Sequence, residues 1–91
     1  MGPHAEKAQL VANDAEVTGS IVRIYAGAAA TITDLSFGKE IVGGTDIVYQ
    51  ATTTDIKIPA GSYLEGPILQ FQGAGSGEPM VVYYNGELTV S

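Results

Sequence analysis

Chemistry in a protein needs groups that move a proton, attack a carbon or hold a metal, and this sequence supplies few of them. It contains a single histidine, His4, and neither cysteine nor tryptophan. Ser20, Ser36, Ser62, Ser76 and Ser91 have no histidine base within the body of the chain, so a Ser-His-Asp arrangement is not expected. Glu40, Glu65, Asp46 and Asp55 are the carboxylates one would pair for glycoside hydrolysis, which needs two acids flanking one bond in a shaped cleft. Ten acids in an acidic chain read more simply as solvated surface and turn caps. Three Thr-Asp pairs (Thr33-Asp34, Thr45-Asp46 and Thr54-Asp55) carry hard oxygen ligands suited to calcium, but their spacing matches no EF-hand loop. The string Gly73-Ala74-Gly75-Ser76-Gly77 resembles a nucleotide fingerprint only superficially. A β-rich run and Pro79 follow it, where a dinucleotide site needs a helix. No catalytic residue, metal ligand or cofactor site is assigned, and an enzyme is not expected.

Charge narrows the partners. The net charge is −6, and the four basic residues, Lys7, Arg23, Lys39 and Lys57, are scattered. A nucleic-acid binder needs a basic stripe to displace counterions from phosphates, so no nucleic-acid partner is expected. Anionic membrane surfaces are disfavoured for the same reason, and no apolar run approaches the ~20 residues that span a bilayer. Met1-Gly2-Pro3-His4 lacks the pattern of a signal peptide and is set aside from the fold. A chain this short has a thin core and cannot add disulfides or a Cys/His metal site, which leaves association with further subunits as the expected source of added stability.

The elements that position these residues read as β throughout. Residues 5–15 have helix-compatible composition, with Ala8, Val11, Ala12 and Ala15 able to share one helical face. The extended reading, as an arm or first strand, is favoured, and residues 1–16 are taken as an N-terminal arm before a single β domain at 17–91. Ile21–Ala26 is β-branched and aromatic, bounded by Gly19 and Gly27. Strict alternation places Val22, Ile24 and Ala26 on one face and Ile21, Arg23 and Tyr25 on the other. The three Thr-Asp pairs share a form in which Asp caps a turn and alternating residues then begin a strand. Gly38, Gly43-Gly44 and Pro59-Ala60-Gly61-Ser62 read as turns. Pro67 cannot donate to a ladder, so the run from Tyr63 to Gln72 is expected at an edge or to begin after the Gly-Pro break. Asn85-Gly86 between two β runs predicts a two-residue hairpin flanked by Tyr84 and Glu87. The sum is an all-β fold, a small antiparallel sandwich or barrel of about seven short strands.

Surfaces therefore carry the expected function. Tyrosine combines an apolar body with a polar tip and is favoured at interfaces. Tyr25, Tyr49, Tyr63, Tyr83 and Tyr84 make up most of the aromatic residues, beside Phe37 and Phe71. Tyr83 and Tyr84, adjacent on a strand, must face opposite sides, one toward the core and one outward. The apolar pattern on both faces of Ile21–Ala26 and Met80–Tyr84 points to a second surface buried by association. The candidate interface residues are Leu10 and Val11 of the arm, Ile21, Arg23 and Phe71, and the five tyrosines.

Between Val17 and Gly86 the sequence resembles small structural proteins of tailed bacteriophage virions. The residues that carry the resemblance are Thr18-Gly19-Ser20-Ile21-Val22, Ile32-Thr33-Asp34-Leu35 and the run from Ile58-Pro59-Ala60-Gly61 through Gly66-Pro67-Ile68. The resemblance, which is to decoration, cement and fibre-base modules, implies a β-sandwich or barrel protomer, often trimeric, docked on a capsid or tail in the virion. The expected role is a capsid decoration or cement subunit against partners such as the major capsid protein. The alternative is a carbohydrate- or ligand-binding β module that stacks its ligand on surface tyrosines.

Overall fold

β-branched and aromatic residues occur in runs separated by glycine, proline and Asx turns, and each run becomes a strand. The computed structural model describes residues 7–39, 41, 44–52, 55–75 and 77–91. Seven strands follow one another: β1 (Lys7–Val11), β2 (Glu16–Ala26), β3 (Ala30–Lys39), β4 (Ile47–Thr52), β5 (Ile56–Ile58), β6 (Ser62–Gly73) and β7 (Met80–Val90). All lie in one antiparallel sheet of order β1-β7-β2-β6-β3-β4, with β5 also paired to β3. The all-β class and the strand number agree with the sequence reading. The expected sandwich or barrel is replaced by a single continuous sheet that does not close, with β1 and β4 as its two ends.

One sheet can enclose a core because its central strands carry bulges. On β2, Ile21 faces Tyr84 and Arg23 faces Tyr83, so Val22 is an extra residue. On β3, Ile32 faces Gly73 and Asp34 faces Gln72, leaving Thr33 unmatched. On β6, Gln70 faces Ser36 and Ile68 faces Phe37, leaving Leu69 unmatched. Each bulge bends its strand and reverses which alternate residues point inward. The strands wrap around Val17, Ile21, Ile24, Ile32, Leu35, Ile68, Phe71, Met80 and Val82, all at most 2% exposed. Ile21 thus joins Ile24 and Ala26 in the core. Strict alternation had placed Ile21 on the opposite face, and the bulge at Val22 is the reason it does not stay there.

Three further local expectations change. Asn85-Gly86 makes no hairpin: Tyr84 and Asn85 pair with Ile21 and Ser20, while Leu88 pairs with Gly19, so both halves of β7 run along β2. Gly86 and Glu87 bulge out between them, with Gly86 at φ 73° and the Lys7 ammonium donating to its carbonyl at 3.0 Å. Pro67 lies within β6, which is central. Because β3 pairs only with Ile68–Gly73, and the β2 register shifts between Glu65 and Ile68, the missing N–H falls where the ladder is already interrupted. Gly38 continues β3 rather than ending it. The Thr-Asp pairs divide as well. Asp46 caps as expected, its Oδ1 accepting from the Ile41 N–H at 3.1 Å. Thr33-Asp34 sits at the β3 bulge, where the Thr33 hydroxyl donates to the Gln72 carbonyl at 3.2 Å. Thr54 lies outside the described residues, and Asp55 directly precedes β5.

Lys7–Val11 is extended as β1 and a turn at residues 13–14 leads into β2, so this segment docks on its own chain. β1 pairs with β7, and Val11, Asn13 and Ala15 are buried. Asn13 is the buried polar residue among those described, at 5% exposure. Its Oδ1 accepts from the Gly75 N–H at 3.0 Å and its Nδ2 donates to the Glu78 carbonyl at 3.4 Å. One side chain thus organises the glycine-rich segment between β6 and β7, and the Gln72 amide donates to the Asp14 carbonyl at 3.2 Å beside it. Asn13→Ala is expected to lower stability by about 1–3 kcal/mol, because it removes two part-buried hydrogen bonds made by a buried side chain. Urea unfolding measures this, and a loss of only a few tenths would mean that water takes over both bonds.

Candidate interaction surfaces

The bulge at Val22 turns Arg23 and Tyr25 away from the core, and cross-strand pairing then builds a two-row surface around them. One row reads Leu10, Val81, Tyr25 and Tyr63 across β1, β7, β2 and β6. The next reads Ala8, Tyr83, Arg23 and Glu65 across the same strands. Residues directly opposite in an antiparallel sheet share a face, so these eight lie together on the side away from the core. The Tyr25 and Tyr63 rings are 5.0 Å apart between centroids, and Tyr63 and Tyr83 are 6.4 Å apart, each pair tilted by 50°. The Arg23 guanidinium stacks 4.6 Å from the Tyr83 centroid and 5.8 Å from that of Tyr63. Such ring pairs contribute ~0.5–1.5 kcal/mol and a cation over a ring ~0.5–1 kcal/mol at a surface. The face is thus ordered before anything binds it. Its outermost members are Tyr63, 52% exposed, and Leu10, 65% exposed.

The second surface is β4. Ile47, Val48 and Tyr49 are consecutive and exposed at 48%, 55% and 61%, so both faces of the strand are uncovered. None belongs to the core. Among the described residues β4 pairs with β3 alone, so its other side is an edge of the sheet. It contains no charged residue and no proline. Its one protective irregularity is a bulge at Tyr49, since Gln50 faces Phe37 and Val48 faces Gly38.

The candidate interface residues separate by burial. Leu10, Tyr49 and Tyr63 are exposed, and Arg23, Tyr25, Tyr83 and Tyr84 are half-buried. Val11, Ile21 and Phe71 are core residues at 2% exposure or less and leave no side chain for a partner, which corrects their assignment to an interface. Tyr83 turns outward while Tyr84 packs against the core, as adjacency on a strand requires. Ile47 and Val48 were missed. The signal available was an uncharged run in which apolar residues do not alternate with polar ones. Of the acids considered for catalysis, Glu65 lies across from Arg23, Asp46 caps a turn, Asp55 is exposed, and Glu40 lies outside the described residues. Among the described residues there is no enclosed pocket and no grouping of three or more His, Cys, Asp or Glu side chains able to hold a metal.

No family model, curated protein or solved structure matches the chain.

Proposed function

We propose that this chain is a structural subunit that works by associating with further copies of itself, as a decoration or cement protein of the virion type its sequence resembles. The observation that carries the reading is β4, a charge-free edge strand whose apolar side chains serve no purpose in the core. The net charge of −6 opposes contact between copies in general, and Ile47–Thr52 adds no charge to that repulsion. A neighbouring strand laid along β4 would extend the sheet across its edge. The sheet ends in β1 on its other side. Joining β4 of one copy to β1 of the next is a head-to-tail contact, the kind that closes into a ring when the rotation permits. A strand edge alone covers less than the roughly 800 Å² per partner of a stable interface, so the bare faces of β4 must be covered too. The trimeric state, the capsid partner and the virion setting rest on the sequence resemblance.

Light scattering on the purified chain tests this reading. A homo-oligomer is expected, with the trimer foremost. Val48→Lys places a charge on the edge strand and is expected to return the protein to a folded monomer whose unfolding midpoint falls only by what association had added, because Val48 is not part of the core. A wild-type chain that stays monomeric at millimolar concentration overturns the proposal.

The outer tyrosine face favours a second reading, a carbohydrate- or ligand-binding module. Tyr63 offers a half-exposed ring beside Tyr25 and Tyr83, although Arg23 already lies over the rings of Tyr63 and Tyr83. Saturable glycan binding by the monomer, lost in Tyr63→Ala, would select this reading over assembly.

A further inference from the structure

We propose that Tyr25 and Tyr63 form a site of intramolecular dityrosine crosslinking, at which one-electron oxidation ties β2 to β6 covalently. The inference is independent of the assembly reading. It begins with what the sequence lacks. There is no cysteine or tryptophan to absorb an oxidant first. Met80 is 1% exposed, which shields its thioether from the solvent oxidation that converts exposed methionine to sulfoxide. Oxidising equivalents that reach the described surface therefore fall on tyrosine.

Geometry selects the pair. Tyr25 and Tyr63 are direct partners in the β2–β6 register, so the backbone ladder holds their rings side by side. A centroid separation of 5.0 Å with a 50° tilt brings the ring edges together. Tyr63 is also open to an oxidant at 52% exposure. Tyr83 stands further off at 6.4 Å, with the Arg23 guanidinium closer to its ring than to that of Tyr63. Tyr49 is more exposed than Tyr63 but lies on β4, away from this cluster, and would couple between molecules rather than within one.

The co-reactant is hydrogen peroxide acting through a haem peroxidase. Each phenol gives up one electron and its hydroxyl proton and becomes a phenoxyl radical with spin density at the ortho carbons. One ortho carbon of each ring then joins the other in a new C–C bond. The two ortho hydrogens transfer to the phenoxyl oxygens, which restores both aromatic rings. The pair loses two hydrogens in total, and the peroxide leaves as two waters.

The test is brief peroxidase and peroxide treatment of the dilute wild-type chain, read by dityrosine fluorescence, intact mass and peptide mapping. A monomeric product lighter by two hydrogens, with Tyr25 and Tyr63 joined, is expected. Tyr63→Phe keeps the ring but cannot form the phenoxyl radical, and should lower the total yield of intramolecular dityrosine about tenfold, since the aligned partner is removed. Tyr25→Phe should do the same, and Tyr49→Phe should leave it unchanged. The proposal is overturned if Tyr63→Phe retains the wild-type yield, if the mapped bond joins a different pair, or if only intermolecular products form. None of these outcomes bears on the Val48→Lys test of assembly.

Discussion

Phe71→Ala is expected to reduce the stability of the fold by about 3–5 kcal/mol, the cost of removing a fully buried phenyl ring and leaving a cavity that its surroundings fill only in part. Phe71 is 0% exposed and is the largest of the fully buried side chains. It lies on β6 at the middle of the sheet, opposite Val17 of β2 and Leu35 of β3, so the cavity would open against both flanking strands. A domain of this length holds a total of roughly 5–14 kcal/mol. The substitution therefore removes a large fraction of what keeps the chain folded. Urea unfolding at one fixed protein concentration is the appropriate measurement, because association of copies adds to apparent stability. A loss below about 1 kcal/mol would mean that the core collapses onto the cavity, and would contradict the tight packing that the bulged sheet implies.

A comparable loss is expected from Gly73→Ala, although the change adds a single methyl group. A β-carbon at Gly73 would fall on the carbonyl oxygen of Asn13, with the Asn13 carbonyl carbon and Oδ1 each 3.0 Å away. The obstacle is backbone, so no rotamer change relieves it. Either β6 or the turn between β1 and β2 must move, and either movement breaks the Asn13 bonds to Gly75 and Glu78. The cost is expected at the upper end of the ~1–3 kcal/mol typical of overpacking, or beyond it. Gly86→Ala is the matching control. Nothing lies within 4 Å of a β-carbon there, and the penalty is only that of the left-handed backbone at φ 73°, about 1 kcal/mol. If the two variants unfolded at the same urea concentration, the close approach at Gly73 would carry no energetic weight.

Much of the fold could be read from residue types because strand propensity and turn chemistry are local. The runs around Ile24, Ile32, Ile47, Ile58 and Val82 all became strands, Pro59 ends β5, and Asp46 caps the turn before β4. Which face each residue takes was legible only where strands are regular. Tyr83 and Tyr84 obey alternation, whereas Ile21 and Arg23 do not, because the register that makes Val22 an extra residue is imposed by β7 from a distant part of the chain. Asn85-Gly86 failed as a hairpin signal for the same reason. The dipeptide permits a tight reversal, but Leu88–Val90 finds a partner in Gly19, Thr18 and Val17 of β2 instead. The candidate surfaces were legible in part. Tyrosine content pointed to Tyr25, Tyr63 and Tyr83, but the clustering of these three with Arg23 depends on cross-strand register. Val11, Ile21 and Phe71 have the residue types of either a core or an interface, and only the pairing decides between them.

The strand order has a consequence for biosynthesis. β1 and β2 emerge first from the ribosome, yet in the sheet they are separated by β7, the most C-terminal of the seven strands. Neither β1 nor the β7-facing side of β2 can find its partner until Met80–Val90 has been translated. Pairings of such long sequence separation assemble slowly, and the waiting edges are open to wrong partners meanwhile. A nascent chain stalled before Met80 should therefore remain susceptible to protease along residues 7–11, and protection there should arise in a single late step.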